Sequence, residues 1–342
     1  MTTRRVRTLV SLCTFGVILT AAGCGDPGSD PMSAGASGAG NSQTVTVYTS
    51  QPDQDIAALV DAFTAAHPDV TVDVFRSGTE EILGRARAEH SNNALGGDVF
   101  LIADEVSMQA LRGDGLLSPY QSPAAAELPH EFADPDGYFT GTKLISTGLV
   151  VNTDSVAAEP ASWFELAEAE SVVMPSPLYS GAAAYNVTLM SEDPAFGWTF
   201  WEDLAPRTTV VQGNGAVLES VASGDAEYGL IVDFMAIRAA AEGSPVAFAY
   251  PDEGVPVITE PIALSASGAD SDAARVFIDF VLSPAGQQVA ADLGYVPLHP
   301  ETQPPGGLRS AGQLTVLQGD SAALAARIEQ AKERFAAIYE TS

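Results

Sequence analysis

Four short segments combine a hydroxyl or amide side chain with a small residue, at points where a strand pattern gives way to a helix pattern. They are Thr49-Ser50-Gln51, Ser77-Gly78-Thr79, Ser180-Gly181-Ala182 and Asn214-Gly215. The first amides of a helix have no partner within the helix, so such a junction offers N–H donors and the positive end of the helix dipole to an anion. A small residue at the junction lets the ligand come close to the backbone. Taken singly, each segment reads equally well as an ordinary helix cap, most evenly so for Ser77 and Asn214. Four in one chain point to a site for a small anion. Two helix N-termini contribute roughly 0.3–1 kcal/mol each. Four or five charge-assisted hydrogen bonds add about 1.5–3 kcal/mol each. Together they reach the roughly −8 kcal/mol of micromolar binding without a buried arginine.

Signatures of catalysis are missing. The chain has no G-x-S-x-G and no H-E-x-x-H, and His67, His90, His130 and His299 are scattered. A Ser/His/Asp site assembled only in three dimensions is the remaining route to an extracytoplasmic enzyme, which is kept as the alternative of another class. The reading is a binder with no catalytic residue, no metal and no cofactor. With 44 acidic against 15 basic residues and a net charge of −29, the chain repels phosphate backbones, so no nucleic acid is expected as a partner. Surface charge is screened over about 8 Å at physiological salt, so this total does not forbid an anion inside a cleft lined by local donors.

Arg4, Arg5 and Arg7, the apolar stretch Leu9 to Leu19 and the small run Ala21-Ala22-Gly23 have the layout of a secretory signal peptide over residues 1–23. The run before Cys24 resembles a bacterial lipobox, with Ala21 where leucine is more usual, and implies that Cys24 is acylated. Residues 24–43 then form the acylated cysteine and a flexible linker, because Gly25 to Gln43 is almost wholly Gly, Ser, Ala, Asp and Pro. Cys13 falls in the signal and Cys24 is blocked, so no disulfide is available. No later apolar run approaches spanning length. The protein is expected outside the cytoplasm, as a monomer anchored to the cell membrane by a lipid on Cys24 alone.

The four junctions need elements to hold them. From Thr44 the pattern alternates through Val45 and Val47, then Ile56, Leu59, Val60 and Phe63 recur at helical spacing. The unit repeats: a strand over Val70 to Phe75 and a helix over Glu81 to His90, with Glu80 three residues after Ser77 as in a capping box. A near-continuous apolar strand follows over Asp98 to Ala103, then a helix over Val106 to Arg112. Further strands read over Leu144 to Asn152, Ser171 to Met174, Thr208 to Val211, Tyr228 to Val232, Pro245 to Tyr250 and Val255 to Leu264. Helices read over Gly215 to Ser223 and Asp270 to Leu282, and one long amphipathic helix over Ser321 to Glu340. Strands alternating with helices predict a parallel, buried sheet.

Several stretches resemble the extracytoplasmic solute-binding proteins of ABC importers, in the branch that contains ferric-ion, thiamine and 2-aminoethylphosphonate binders. They are Thr44-Val-Thr-Val-Tyr-Thr-Ser-Gln51, Gly97-Asp-Val-Phe100 with Gly115-Leu-Leu-Ser-Pro-Tyr120, Pro177-Leu-Tyr-Ser-Gly181, Gly213-Asn-Gly-Ala-Val217 with Val221-Ala-Ser-Gly224, and Phe280-Val-Leu-Ser-Pro-Ala-Gly286. The resemblance implies the α/β, two-lobed periplasmic-binding-protein fold of type II with the ligand cleft between the lobes. It assigns residues 44–147 plus 251–342 to lobe one and 148–250 to lobe two, with hinges at Thr147 to Asn152 and Ala249 to Glu253. Closure on the ligand is a population shift. The positions that hold iron in ferric binders carry Phe234, Met235, Pro52 and Ala103 here, none of them a donor for a hard cation. By the same resemblance Asp104 and Asp233 point into the cleft, where they would pair with an ammonium group. Equally, each Asp caps a neighbouring helix or faces water. Tyr48, Tyr179 and Tyr185 are candidate walls. The implied function is a substrate-binding lipoprotein that passes a small anionic or zwitterionic solute, such as 2-aminoethylphosphonate or another phosphonate, to ABC permease subunits. A ferric iron or ferric-complex binder, with iron supplied on its own chelator, is the alternative within the class.

Overall fold

The computed structural model describes residues 43–156 and 158–339. The expected signal peptide, the acylated Cys24 and the linker up to residue 42 lie outside the described residues. The chain begins with strand β1 (Gln43–Thr49), helix α1 (Asp53–Ala66), β2 (Val70–Arg76), α2 (Thr79–Ser91), β3 (Val99–Leu101), α3 (Glu105–Gly113) and the two-residue strands β4 (Leu117–Ser118) and β5 (Thr140–Gly141). Ile56, Leu59 and Phe63 form the buried stripe of α1. The β1 strand pairs in parallel with β2 and β3. Val99, Phe100 and Leu101 are fully buried, since apolar clusters cover both faces of the sheet.

Strand β6 (Lys143–Asn152) is buried along its whole length and leads into β7 (Val172–Pro175), α4 (Gly181–Glu192), α5 (Gly197–Leu204), β8 (Thr208–Val211), α6 (Asn214–Ala222), β9 (Tyr228–Val232), α7 (Asp233–Ala241) and β10 (Val246–Ala249). The return path is β11 (Val257–Ile258), β12 (Pro261–Ser265), α8 (Asp272–Leu282), α9 (Pro284–Asp292), β13 (Val296–Pro297), α10 (Ser321–Ala325) and α11 (Ile328–Tyr339). One sheet has the order β2-β1-β3-β12-β4, the other β10-β6-β9-β7-β8. β6 serves both lobes. Up to Ser146 it pairs with β11 and β13, and from Thr147 it pairs with β9 and then β10. The second connection is the segment between Ala249 and Val257. Two further clusters cover the faces of the second sheet.

Four sequence expectations change. The sheets are mixed, because β12 returns antiparallel to β3 and β6 runs antiparallel to β9. The strand expected over Val255 to Leu264 is broken at Glu260, which takes φ 37° immediately before Pro261. A residue before proline is disfavoured in the helical region but is not driven to positive φ by that alone, so the turn is imposed by its surroundings. The long helix expected over Ser321 to Glu340 is two helices: α10 packs on α3, and α11 packs on α4 and α5. The resemblance placed all of 251–342 with lobe one. Instead Leu324, Ile328 and Phe335 are buried in the same cluster as Trp201, Val187 and Met190, so this apolar stripe belongs to the core of the second lobe.

Candidate ligand-binding cleft

Where the two lobes meet, a cavity of ≈ 330 Å³ opens between the carboxyl ends of their strands. Five helices begin on it: α1 at Pro52 and Asp53, α2 at Gly78 and Thr79, α4 at Ser180, α6 at Gly213 and Asn214, and α7 at Val232. They are not electrostatically alike. Helices α1 and α2 each carry two acidic residues in the first turn, Asp53 and Asp55, and Glu80 and Glu81. The α7 helix opens on Asp233, whose carboxylate accepts the Phe234 N–H at 2.8 Å. Helices α4 and α6 carry no acidic residue in the first turn. Their positive ends are left for a ligand.

Arg76, at the end of β2, lines the same cavity. Its Nε donates to the Gln51 carbonyl at 2.9 Å, and Nη1 lies 3.4 Å from the Tyr179 hydroxyl. Asp53 and Glu260 also line it. Glu260 is held by a buried ion pair with Lys143 and by the Gln51 Nε2 donor at 2.9 Å, so its charge is matched inside the wall. The floor is apolar: Ala103, Ile145, Ile258, Phe234 and Met235. Among the described residues no group of three or more His, Cys, Asp or Glu could hold a metal ion. Pro52, Ala103, Phe234 and Met235, which the family resemblance sets at the iron positions of ferric binders, all line the cavity.

Of the residues singled out from sequence, the fold brings Ser50, Gly78, Thr79, Ser180, Gly181, Ala182, Asn214 and Gly215 together on this cavity. Thr49 and Gln51 lie beneath the loop, where the Thr49 hydroxyl accepts the Gln51 N–H at 3.1 Å. Ser77 does not cap α2: the N-cap is Gly78, and the Ser77 hydroxyl bonds Glu81.

The expected placement of Asp104 and Asp233 is corrected. Neither lines the cavity, and both are buried behind it. Asp104 is the N-cap of α3, accepting the Ser107 N–H and hydroxyl at 2.8 Å each. Asp233 accepts the Ser146 hydroxyl at 2.5 Å. Burial lifts the Asp104 carboxyl to about 7 and Asp233 to about 6, partly offset by these hydrogen bonds. Tyr48 is buried and bonds Glu89, and Tyr185 also lies off the cavity, whereas Tyr179 lines it. Sequence reasoning missed Asp53, Arg76, Gln212 and Glu260. The only local signal was Pro261, which marks a break beside Glu260.

A family model described as bacterial extracellular solute-binding protein matches residues 45–296. The chain is 27% identical over 275 residues to a probable ABC transporter periplasmic-binding protein, y4fP, of Sinorhizobium fredii, with 75% of each covered. The periplasmic binding protein AfuA of Actinobacillus pleuropneumoniae, solved with fructose-6-phosphate bound, is similar with a TM-score of 0.81 at 17% identity, over 88% of this chain and 99% of that one. Iron-bound HitA of Pseudomonas aeruginosa follows the same fold with a TM-score of 0.75 at 18% identity, over 86% of this chain and 99% of that one. At these identities the likeness is one of fold: two α/β lobes around a ligand cleft.

Proposed function

This chain belongs to the bacterial extracellular solute-binding protein family and serves an ABC transporter from outside the cytoplasm; from that premise we propose that its solute is a small phosphonate or phosphate-bearing anion or zwitterion. The observation that carries the reading is that α4 and α6, the two helices whose first turns hold no acidic residue, open on the same cavity as Arg76. An anionic head set there meets backbone N–H donors and a guanidinium, each bond contributing about 1.5–3 kcal/mol. The ammonium of an aminophosphonate such as 2-aminoethylphosphonate then faces Asp53, which takes over the part first given to Asp104 and Asp233. Residues 1–23 and Cys24 are read as the export signal and lipid anchor, and the protein as a monomer that hands its solute to the permease.

A larger phosphorylated ligand is a second reading, favoured by the size of the cavity. At the roughly 30 Å³ that one water takes in the liquid, ≈ 330 Å³ has room for more than the few heavy atoms of an aminophosphonate. The fructose-6-phosphate bound by AfuA is of that larger kind. Isothermal calorimetry with inorganic phosphate, 2-aminoethylphosphonate, fructose 6-phosphate and ferric citrate separates the cases. Micromolar binding of one or more of the three phosphorus anions is expected; binding of ferric citrate alone would overturn the reading.

A further inference from the structure

We propose that Tyr179 is a specificity-determining residue of this cleft: its ring closes the end of the cavity where the anion is held, and Gly78 and Gly213 are small so that it can lie there. The inference rests on the anion reading above. Tyr179 belongs to the second lobe, one residue before the Ser180 that caps α4, yet it reaches the first lobe at three points. Its carbonyl accepts the Glu80 N–H at 3.3 Å, satisfying an otherwise unpaired amide of the first turn of α2. Its hydroxyl lies 3.4 Å from Arg76 Nη1. Above all, it covers Gly78 so closely that a Cβ there would stand 2.6 Å from both Tyr179 Cε2 and its carbonyl oxygen.

Gly78 has φ −65° and ψ 151°, which any residue adopts. The dihedral angles therefore do not require glycine at this position; the Tyr179 ring and carbonyl oxygen packed over it do. On its own lobe the ring lies against Gly213, the N-cap of α6, where a Cβ would stand 3.3 Å from Tyr179 Cε1. The ring thus stands between the starts of α4 and α6, with Arg76 at its hydroxyl. Taking it away opens space at the anion end and removes a contact made when the lobes meet. A small anion, held only at that end, loses most. A longer phosphorylated ligand, also held at the far end, loses less.

The test is calorimetry on the full set of single and double variants with inorganic phosphate, 2-aminoethylphosphonate and fructose 6-phosphate. Tyr179→Ala is expected to weaken the two small anions about tenfold or more, and fructose 6-phosphate about threefold or less, in line with an unfilled void at one end of the cavity. Tyr179→Phe, which loses only the long contact to Arg76, stays within about twofold. Gly78→Ala, which displaces both the ring and the carbonyl of Tyr179, lowers affinity for all three anions and shifts preference in the same direction as Tyr179→Ala. In the Tyr179→Ala background it still meets the residue 179 carbonyl oxygen, so it lowers the affinity for all three anions alike and changes the preference between them no further. Additive effects of Gly78→Ala and Tyr179→Ala on the preference between small and large anions, or an unchanged preference in both, would overturn the proposal. If Tyr179→Ala does not fold, the Gly78→Ala and Tyr179→Phe pair still decides the preference. Wild-type protein that binds none of the three anions sinks the anion reading and this inference together; wild-type binding with unaltered variants sinks the inference alone.

Discussion

The two walls of the cleft are made of different materials. From the second lobe come Tyr179, Ser180, Gly181 and Ala182, the loop Gln212 to Ala216, and Val232, Phe234 and Met235: backbone, small groups and apolar surface, with no charged side chain. Asp53, Arg76 and Glu260 all come from the first lobe. The difference is between fixed dipoles and charges on side chains. Helix N-termini are aimed by the fold and need no reorganisation to meet an anion. Arg76 is carried by the other lobe, so a ligand resting on α4 and α6 reaches its guanidinium only with the lobes together. On the proposed reading, charge recognition and closure are one event.

The largest effect expected from this arrangement concerns stability and lies one layer behind the walls. The raised carboxyls of Asp104 and Asp233 hold their protons more firmly in the folded protein than in the unfolded chain. For Asp104 the sign is that stability is full below its ordinary 3.8 and is lost as pH rises through about 7. Asp104→Asn retains a competent helix cap and removes the titration. Its stability relative to wild type should therefore climb by up to about 4 kcal/mol between roughly pH 4 and pH 8, read by denaturant unfolding at each pH. Parallel pH profiles for the two proteins would mean that the Asp104 carboxyl ionises as readily in the folded protein as in the unfolded chain.

Asp104 also shows why one wall was legible in the sequence and the other was not. A junction that exposes backbone must be small and polar locally, so Ser180-Gly181-Ala182 and Asn214-Gly215 can be read from their own residues. The same local rule misled for Asp104 and Asp233. A carboxylate at the start of a helix has a use there already, capping its own N–H groups, and the sequence does not say which way it turns. Arg76 and Glu260 had no local mark as site residues: one ends a strand, the other lies in what alternation reads as a continuous strand. Only the pairing of β12 with β3, across more than 150 residues, brings Glu260 to the cleft. The two-lobed fold was implied by the family resemblance, whereas the order of strands and helices predicted only a parallel sheet, and the place of α11 was not legible at all. Its apolar stripe fits either lobe by pattern, and packing against Trp201 decides it.

Gly181→Ala and Arg76→Met should fail in different ways, one per wall. A Cβ on Gly181 would lie 2.6 Å from Asp104 Oδ2 and 2.9 Å from Thr79 Cβ, so it wedges the lobes apart whatever the ligand. Overpacking of about 1–3 kcal/mol becomes a loss of about tenfold to a hundredfold in affinity, shared by all ligands and insensitive to salt. Arg76→Met removes a charge at little change of bulk. It should weaken dianions about tenfold or more, spare uncharged analogues, and flatten the salt dependence of binding. Identical ligand and salt patterns for the two variants would erase the distinction between the walls.

The smallest effect tests a single hydroxyl. Thr79 lines the cavity and is buried, and its Oγ1 has no hydrogen-bond partner among the described residues. A buried hydroxyl without a partner costs the folded protein about 1–3 kcal/mol, a cost that a ligand oxygen at that place would remove. Valine has nearly the same shape and no hydroxyl. Thr79→Val should therefore leave the ligand-free protein as stable as wild type or more so, while weakening a bound phosphorus anion by about 1 kcal/mol, about fivefold in Kd. The opposite signs carry the argument, because a hydroxyl that served only the fold would lower stability when lost and leave affinity alone. Thermal unfolding of the ligand-free variant beside its calorimetric Kd distinguishes the two, and a destabilised variant with unchanged Kd would remove Thr79 from the site.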